Sequence, residues 1–220
     1  MSLAIFDLDN TLLSGDSDYL WGQFLSEIGV VDAEIYEAKN QQFFDDYKNG
    51  TLDIDAFHRF SMQPLAANSK TDLFAWREDF MQKKIKPLVG QAALDLVDQH
   101  RTAGDTLLII TATNTFVTRP IADCFGIDNL IGTDPEQIDG HYSGKPDGVP
   151  SFREGKITRL NDWLINTGEQ LEGACFYSDS HNDLPLLKLV ENPIAVDPDD
   201  KLLEHAQKNN WPVISLRKNS

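Results

Sequence analysis

The stretch LAIFDLDNT, residues 3–11, decides how the rest of the chain is interpreted. Its first four residues are apolar without alternation, which is typical of a strand buried on both faces of a parallel sheet. Asp7 and Asp9 follow where this strand would end, and ligands of open α/β sheets bind at that end of the strands. Residues two apart in an extended chain point the same way, so both carboxylates could face one hard cation such as Mg²⁺. A solvated Asp- and Asn-rich turn would have the same local sequence.

The composition limits the classes of partner. The 220 residues, 41% of them hydrophobic, suffice for one large domain or for one domain with a smaller insert. With 35 acidic and 19 basic residues the formal charge is -16. A surface of this sign repels nucleic acid and anionic lipid, so we expect neither nucleic acid nor a membrane as partner. The chain shows no apolar membrane span and no signal-peptide pattern, and Cys124 and Cys175 match no zinc spacing. These features predict a cytoplasmic protein.

Residues 14–86 contain no convincing strand. Their apolar residues recur at helical spacing, and the breaks fall at Gly29, at Asn49-Gly50 and at Pro64, with Asp53 as a helix N-cap. The sequence therefore predicts a small helical bundle here, with its aromatic residues forming the bundle core.

After residue 87, strands alternate with helices. Strands are predicted over 106–110, 174–177, 194–196 and 213–215, with a further strand and hairpin over 130–145 that turns at Asp139-Gly140. Pro120 is expected near the start of one helix, and Ser151 with Glu154 forms a capping box that would open another. The alternation predicts an α/β protein with a doubly wound, mostly parallel, Rossmann-like sheet. Residues 1–13 and 87–220 would form the catalytic core, and residues 14–86 a helical cap inserted after the first strand.

Three predicted strands end in polar residues: Asp7 and Asp9 after the first, Thr111 after the second, and Asp179 with Asp183 after the third. Independent surface turns could easily produce one such case, but three together favour one shared site. Lys156 lies early in a predicted helix, where the helix dipole disfavours a cation. It is either a site residue or a solvated surface lysine.

These motifs, in this order, resemble the four motifs of the haloacid dehalogenase-like phosphohydrolase superfamily. The first is DLDNT at residues 7–11, the second and third are Thr111 and Lys156, and the fourth is SDSHND at residues 178–183. The resemblance covers essentially the whole chain and is closest to the phosphoserine-phosphatase-like branch. Ser178 stands where the fourth motif usually has glycine. The resemblance implies a Mg²⁺-dependent phosphomonoesterase that acts on a small phosphorylated metabolite through an aspartyl-phosphate intermediate.

The resemblance also implies catalytic roles. Asp7 resembles the nucleophile that attacks phosphorus. Asp9 resembles the general acid that protonates the leaving oxygen and then the base that activates water. Thr111 and Lys156 would hold the phosphoryl oxygens.

A metal site and a substrate contact are implied at the same strand ends. Mg²⁺ would lie between the Asp7 carboxylate, the backbone carbonyl of Asp9 and Asp179. Asp183 would order the metal-bound waters and anchor Lys156. Asn182 in the same loop is a candidate substrate contact.

Two residues of the predicted cap correspond to substrate-binding positions of phosphoserine phosphatases. Asp16 falls where those enzymes place an acid, and Arg59 falls where they place a carboxylate-binding arginine; Arg59 could equally form a salt bridge within the cap. Residues 111–113, Thr-Ala-Thr, replace the Ser-Gly-Gly of those enzymes. Several bacterial members of this branch are described as histidinol-phosphate phosphatases, and Asp16 would suit the ammonium of that substrate. Phosphoserine and histidinol phosphate both stay candidates.

Other classes of protein use part of this pattern. A phospho-receiver domain also has an acidic pair, Thr and Lys at strand ends, but it is shorter and has no helical insert. A haloalkanoic dehalogenase would need no second aspartate at position 9. A non-catalytic phosphate-binding protein is the remaining alternative. The expected partner is a small phosphomonoester, and the expected assembly is a monomer or a homodimer.

Overall fold

The computed structural model describes residues 2–217, and a seven-stranded sheet forms its centre. The strand order is β4-β3-β2-β1-β5-β6-β7, and all neighbours pair in parallel except β3 with β4. The strands are β1 (Leu3–Phe6), β2 (Thr106–Asn114), β3 (Asn129–Ile138), β4 (His141–Asp147), β5 (Cys175–Ser178), β6 (Asn192–Val196) and β7 (Val213–Ile214). The predicted fold class is confirmed.

Strand β1 lies in the middle of the sheet, as its unbroken apolar sequence predicts. Ala4 and Phe6 belong to one hydrophobic cluster, whereas Leu3 and Ile5 belong to a second. Alternate residues of one strand thus pack on opposite faces of the sheet. The carboxyl end of this fully buried strand places Asp7 between β2 and β5.

Five helices follow β1 and form what we call the helical insert. They are α1 (Ser17–Glu27), α2 (Ala33–Asn49), α3 (Ile54–Ser61), α4 (Gln63–Ala67) and α5 (Lys70–Phe80), and a π-helical turn (Met81–Ile85) and a 3₁₀ turn (Lys86–Leu88) continue them. Asp53 caps α3 as predicted, since its side chain accepts from the Ala56 amide. Trp21 and Phe80 of the insert share one hydrophobic cluster with Phe6 of β1. The predicted division into a cap of residues 14–86 and a core stays a prediction.

The other helices are α6 (Gln91–Ala103), α7 (Thr115–Cys124), α8 (Glu154–Thr167), α9 (Leu184–Leu187) and α10 (Asp200–Lys208). The predicted hairpin is present, with Asp139 and Gly140 both at positive φ. Strand β2 is longer than predicted, because it continues past Ile110 to Asn114 through a shift in its pairing with β3. Thr111 therefore lies within the strand. None of the helices in the described chain is long and apolar enough to cross a membrane.

Pro120 lies inside α7, so its predicted place near the helix start is wrong. A proline has no N–H to donate to the carbonyl four residues earlier, which here is that of Phe116. Arg77 of α5 supplies the missing donor, because its Nη1 lies 2.7 Å from the Phe116 oxygen. A contact from the helical insert thus compensates for a proline within α7.

The predicted capping box at the start of α8 is also wrong. The helix begins at Glu154, its N-cap position is Arg153, and the Ser151 hydroxyl is buried without a partner among the described residues. The turn before α8 is too tight for a regular cap, since a Cβ on Gly155 would lie 2.0 Å from the Pro150 carbonyl oxygen. Arg153 adopts a positive φ of 50° in this turn.

Candidate active site

A buried ion network lies at the carboxyl end of β1. Asp7 directly follows the strand, and Lys156 stands in the first turn of α8. The Lys156 Nζ lies 2.8 Å from Asp7 Oδ1 and 2.8 Å from Asp183 Oδ2. Lys156 is only 2% exposed, so it is buried in this network and is not a solvated surface lysine.

Burial dominates the electrostatics of this network. It raises the pKa of Asp7 to about 7, although the charge of Lys156 acts in the opposite direction. Burial also raises the pKa of Asp179 well above its usual range, and the charge of Asp7 adds to this effect. For Lys156, burial lowers the pKa, but attraction to Asp183 and Asp7 outweighs burial and the pKa is raised. Lys156 thus pairs with two of these carboxyl groups, Asp7 and Asp183, while Asp179 is linked to Asp7 through Thr11.

Two hydroxyl groups without a predicted role in the site, those of Thr11 and Ser178, contact these carboxylates. Thr11 Oγ1 lies 3.3 Å from Asp7 Oδ2 and 3.0 Å from Asp179 Oδ1, and it also accepts from the Asp179 amide. Ser178 Oγ donates to Asp183 Oδ2 at 2.8 Å. Thr11 could have been identified as part of the DLDNT motif, whereas Ser178 had been noted only as a departure from glycine.

Asp9 faces β2 and not Lys156. Its Oδ1 accepts from the Ser17 amide at 2.7 Å, and its Oδ2 accepts from the Thr113 hydroxyl at 2.8 Å and from the Thr111 hydroxyl at 3.3 Å. Asp7 and Asp9 therefore have separate partners. Thr113 is a further residue that the sequence analysis did not assign to the site.

The structure brings six predicted residues together at the ends of β1, β2 and β5 and at the start of α8: Asp7, Asp9, Thr111, Lys156, Asp179 and Asp183. Their individual roles stay predictions. Across residues 2–217, no three Asp, Glu, His or Cys side chains are arranged to hold a metal ion by themselves. A cation here would need other oxygen ligands too, in agreement with the predicted use of the Asp9 backbone carbonyl.

A cavity between the strand ends and the helical insert contains two more acids. Asp16 caps α1 by accepting from the Tyr19 amide at 2.9 Å, and burial, aided by the charge of Asp9, raises its pKa to about 7. Asp18 is buried, accepts from Asn114 Nδ2 at 3.2 Å, and has its pKa raised well above the usual range by burial. Asp18 was missed, since an acid in the first turn of a helix is ordinary.

Apart from Asn40, apolar and aromatic side chains of α1, α2, α3 and the loop before α3 form the rest of the wall on the insert side: Tyr19, Phe43, Phe44, Tyr47, Leu52, Ile54 and Phe57. Within the part of the chain that the structure describes, no lysine, arginine or histidine lines this cavity. Among residues 2–217, the wall therefore combines acids with aromatic rings and presents no cationic side chain to a substrate carboxylate.

Two predicted substrate-binding residues do not line this cavity. Arg59 is exposed on α3, away from the cavity wall. Asn182 is buried, but its Nδ2 donates to the Tyr47 carbonyl at 3.0 Å and its Oδ1 accepts from Arg153. The structure thus places Asn182 between the loop of residues 178–183 and α2.

Comparison with known proteins identifies the family of the chain. The family described as haloacid dehalogenase-like hydrolase matches residues 4–188 of the chain. The chain therefore belongs to the haloacid dehalogenase-like hydrolase family. Within that family it is a phosphatase, so the predicted class of enzyme is confirmed, and the receiver and non-catalytic alternatives are set aside.

Individual relatives cover the whole chain. It is similar to a histidinol-phosphatase of Neisseria meningitidis serogroup C (strain 8013), with 49% identity over 98% of this chain and 99% of that protein. It is also similar to the phosphoserine phosphatase SerB1 of Mycobacterium tuberculosis, with 29% identity over 97% of this chain and 70% of that protein.

Solved structures show the same fold. A protein of unknown function from Bordetella pertussis Tohama I has a TM-score of 0.93 and 46% identity, over 98% of this chain and 99% of that one. A substrate-bound phosphoserine phosphatase has a TM-score of 0.72 at 15% identity, over 99% of this chain and 93% of that one. At that low identity the second likeness concerns the fold alone.

Proposed function

We propose that the chain is a Mg²⁺-dependent phosphomonoesterase in which Asp7 is the nucleophile. The Asp7 carboxylate is fixed by Lys156 on Oδ1 and by Thr11 on Oδ2. One carboxylate oxygen would attack phosphorus, and the bond from phosphorus to the leaving oxygen would break while Asp9 supplies a proton to that oxygen. Water, deprotonated by Asp9, would then attack phosphorus, and the bond from phosphorus to the Asp7 oxygen would break, which releases inorganic phosphate and restores the Asp7 carboxylate.

The residues present fit a hard divalent cation. Asp7 and Asp179 are joined through Thr11, and one ammonium does not balance the buried carboxylates. Asp7, Asp179 and the backbone carbonyl of Asp9 would hold Mg²⁺, with water as the remaining ligands. When bound, the ion supplies positive charge for the phosphoryl oxygens. Lys156 would supply the other positive charge.

The cavity favours a leaving group that carries a cation and a ring. Burial raises the pKa of the Asp16 and Asp18 carboxyls, and an ammonium beside them would favour their ionised forms. Phosphoserine brings a carboxylate that would meet acids, and Arg59 lies outside the cavity. Histidinol phosphate brings an ammonium and an imidazole without a carboxylate. The acid-lined, aromatic wall is the observation that carries this proposal, and the name of the Neisseria relative supports it.

The first test concerns the nucleophile. Asp7→Asn should remain folded, since an amide relieves repulsion among clustered carboxylates, and it should release no phosphate, because an amide cannot attack phosphorus. The measurement is Mg²⁺-dependent phosphate release from p-nitrophenyl phosphate by the purified variant and the parent. Retained hydrolysis by Asp7→Asn would refute the assignment.

The second test concerns the leaving group. Asp16→Asn keeps a good N-cap for α1 and removes only the charge. It should raise KM for histidinol phosphate about 10- to 100-fold, as for the loss of a charge-assisted bond of about 1.5–3 kcal/mol, and should change KM for p-nitrophenyl phosphate little. Arg59→Ala is the matched control and should alter neither. A higher kcat/KM for phosphoserine that depends on Arg59 would overturn the proposal.

A cytoplasmic location and a monomeric or homodimeric state belong to the same proposal. Both are expected for an acidic enzyme acting on a small metabolite. Size-exclusion chromatography with light scattering would test the assembly.

A further inference from the structure

The C-terminal end of α2, residues 47–50, is held by side chains from outside the helical insert. Arg153 Nη2 donates to the Gly50 carbonyl at 2.6 Å, and Asn182 Nδ2 donates to the Tyr47 carbonyl at 3.0 Å. The last carbonyls of a helix have no donors within the helix and form the negative end of its dipole. A guanidinium is therefore a fitting partner for this helix end.

Arg153 also contacts the loop that carries the candidate metal-binding residues. Its Nε and Nη2 lie 3.1 Å and 2.9 Å from Asn182 Oδ1. Asn182 directly precedes Asp183, and Arg153 stands three residues before Lys156, so the Arg153–Asn182 contact adjoins both members of that buried ion pair. One guanidinium thus joins α2, the loop of Asp183 and the start of the helix that carries Lys156.

The backbone of Arg153 supports a specific role for its side chain. Its φ of 50° with ψ of -119° is a conformation that residues other than glycine rarely adopt. Such strain persists where the surrounding contacts fix it. Glycine would adopt this conformation more readily, so the presence of arginine points to a requirement for the guanidinium.

We propose that Arg153 is a positioning residue of the phosphatase reaction. It fixes the end of α2 against the loop of Asp183 and the start of α8, so that the helical insert and the Lys156 network are placed together. The proposal rests on the phosphatase class of the chain and not on the identity of its substrate.

The test compares Arg153→Gly, Arg153→Lys and the control Arg119→Ala in the full chain. Arg153→Gly removes the side chain and relieves the backbone, so this variant is expected to fold. Arg119 is a matched control, because it too donates to backbone carbonyls, those of Ile127 and Asp128, but far in sequence from α2. Hydrogen exchange over residues 44–53 and the kcat for p-nitrophenyl phosphate are measured for each protein.

Arg153→Gly should speed hydrogen exchange over residues 44–53 about tenfold. Exchange occurs when this segment opens locally, and the loss of a charge-assisted hydrogen bond makes that opening more favourable. Its kcat should fall about tenfold, with Arg153→Lys restoring part of both effects, since a lysine can reach one acceptor but not two. Arg119→Ala should change neither. Unchanged exchange in Arg153→Gly, faster exchange with an unchanged kcat, or the same changes in Arg119→Ala would overturn the proposal. Hydrogen exchange is measured without substrate turnover, so its result does not depend on whether Asp7 is the nucleophile.

Discussion

Replacing Lys156 with methionine tests whether the strand-end carboxylates form a buried ion network. The change removes an ammonium that lies 2.8 Å from both Asp7 Oδ1 and Asp183 Oδ2, where all three side chains are almost fully buried. Removing one partner of a buried pair leaves an uncompensated charge and costs about 3–5 kcal/mol of unfolding free energy. We expect a loss of this size at pH 8, in EDTA so that no metal replaces the ammonium.

The loss should depend on pH, because a carboxyl can become neutral by protonation. The pKa of Asp7 is raised to about 7 even beside Lys156, and without Lys156 it rises further. A group whose folded-state pKa exceeds its unfolded value holds more protons in the folded protein. Its contribution to the free energy of unfolding is therefore present at low pH and is lost as pH rises. The difference in unfolding free energy between the parent and Lys156→Met should therefore grow above pH 7, by up to about 1.4 kcal/mol per pH unit.

Urea unfolding followed by circular dichroism at pH 6, 7 and 8 measures these differences. Lys188→Met, at an exposed lysine, is the control and should cost less than about 0.5 kcal/mol. Adding Asp183→Asn to Lys156→Met should restore part of the stability, because one of the unpaired charges is then gone. A loss below about 1 kcal/mol at pH 8, or an equal loss at pH 6 and pH 8, would refute the buried network.

Three further predictions concern other parts of the molecule. Asp9→Asn should lower kcat for alkyl phosphates by a factor of about 10²–10⁴ and kcat for p-nitrophenyl phosphate much less, since nitrophenolate needs no proton to leave. Equal losses of kcat for the two substrates in steady-state kinetics would contradict proton transfer by Asp9. Arg77→Ala should cost about 1–3 kcal/mol in urea unfolding, because the Phe116 carbonyl loses its donor, and a loss near zero would count against this contact. Burial lowers the pKa of His58 from 6.5 to about 4, so the unfolded chain binds more protons in that range and stability falls as pH falls. Between pH 6.5 and 5, the free energy of unfolding should fall by about 2 kcal/mol less in His58→Leu than in the parent. The same pH dependence in both proteins would show that His58 is hydrated.

The centre of the site could be predicted because its signals are local. An unbroken apolar run followed by two aspartates is enough to place Asp7 at the end of a buried strand, and a parallel sheet brings the ends of its strands together. Lys156 was ambiguous from the residues alone, since a lysine early in a helix is also common on a surface. Within the sequence, only the order of all four motifs favours a site residue over a solvated surface lysine at this position.

The parts that were missed depend on contacts between distant segments. Arg153 lies 103 residues from Gly50, and the nearby Ser151 matched a capping box that the tight turn before α8 does not allow. Pro120 is tolerated inside α7 because Arg77, from another helix, supplies a donor. The resemblance assigns Arg59 by its position in the sequence, and this position does not specify which face of α3 the residue occupies. No pattern in a single sequence encodes these distances.

The distribution of charge around the cavity explains how so acidic a protein could bind an anionic phosphoryl group. The chain carries a formal charge of -16, yet the phosphoryl end of the proposed site has Lys156 and the ligands for a divalent cation, all at the strand ends. On the insert side of the same cavity, the residues that the structure describes include Asp16, Asp18 and aromatic rings and no cationic side chain. An ester with a phosphate at one end and an ammonium at the other would therefore be attracted in one orientation and repelled in the reverse one. An ester with a carboxylate in place of the ammonium would lose that preference, so the acids of the insert would select the leaving group by repulsion as well as by attraction.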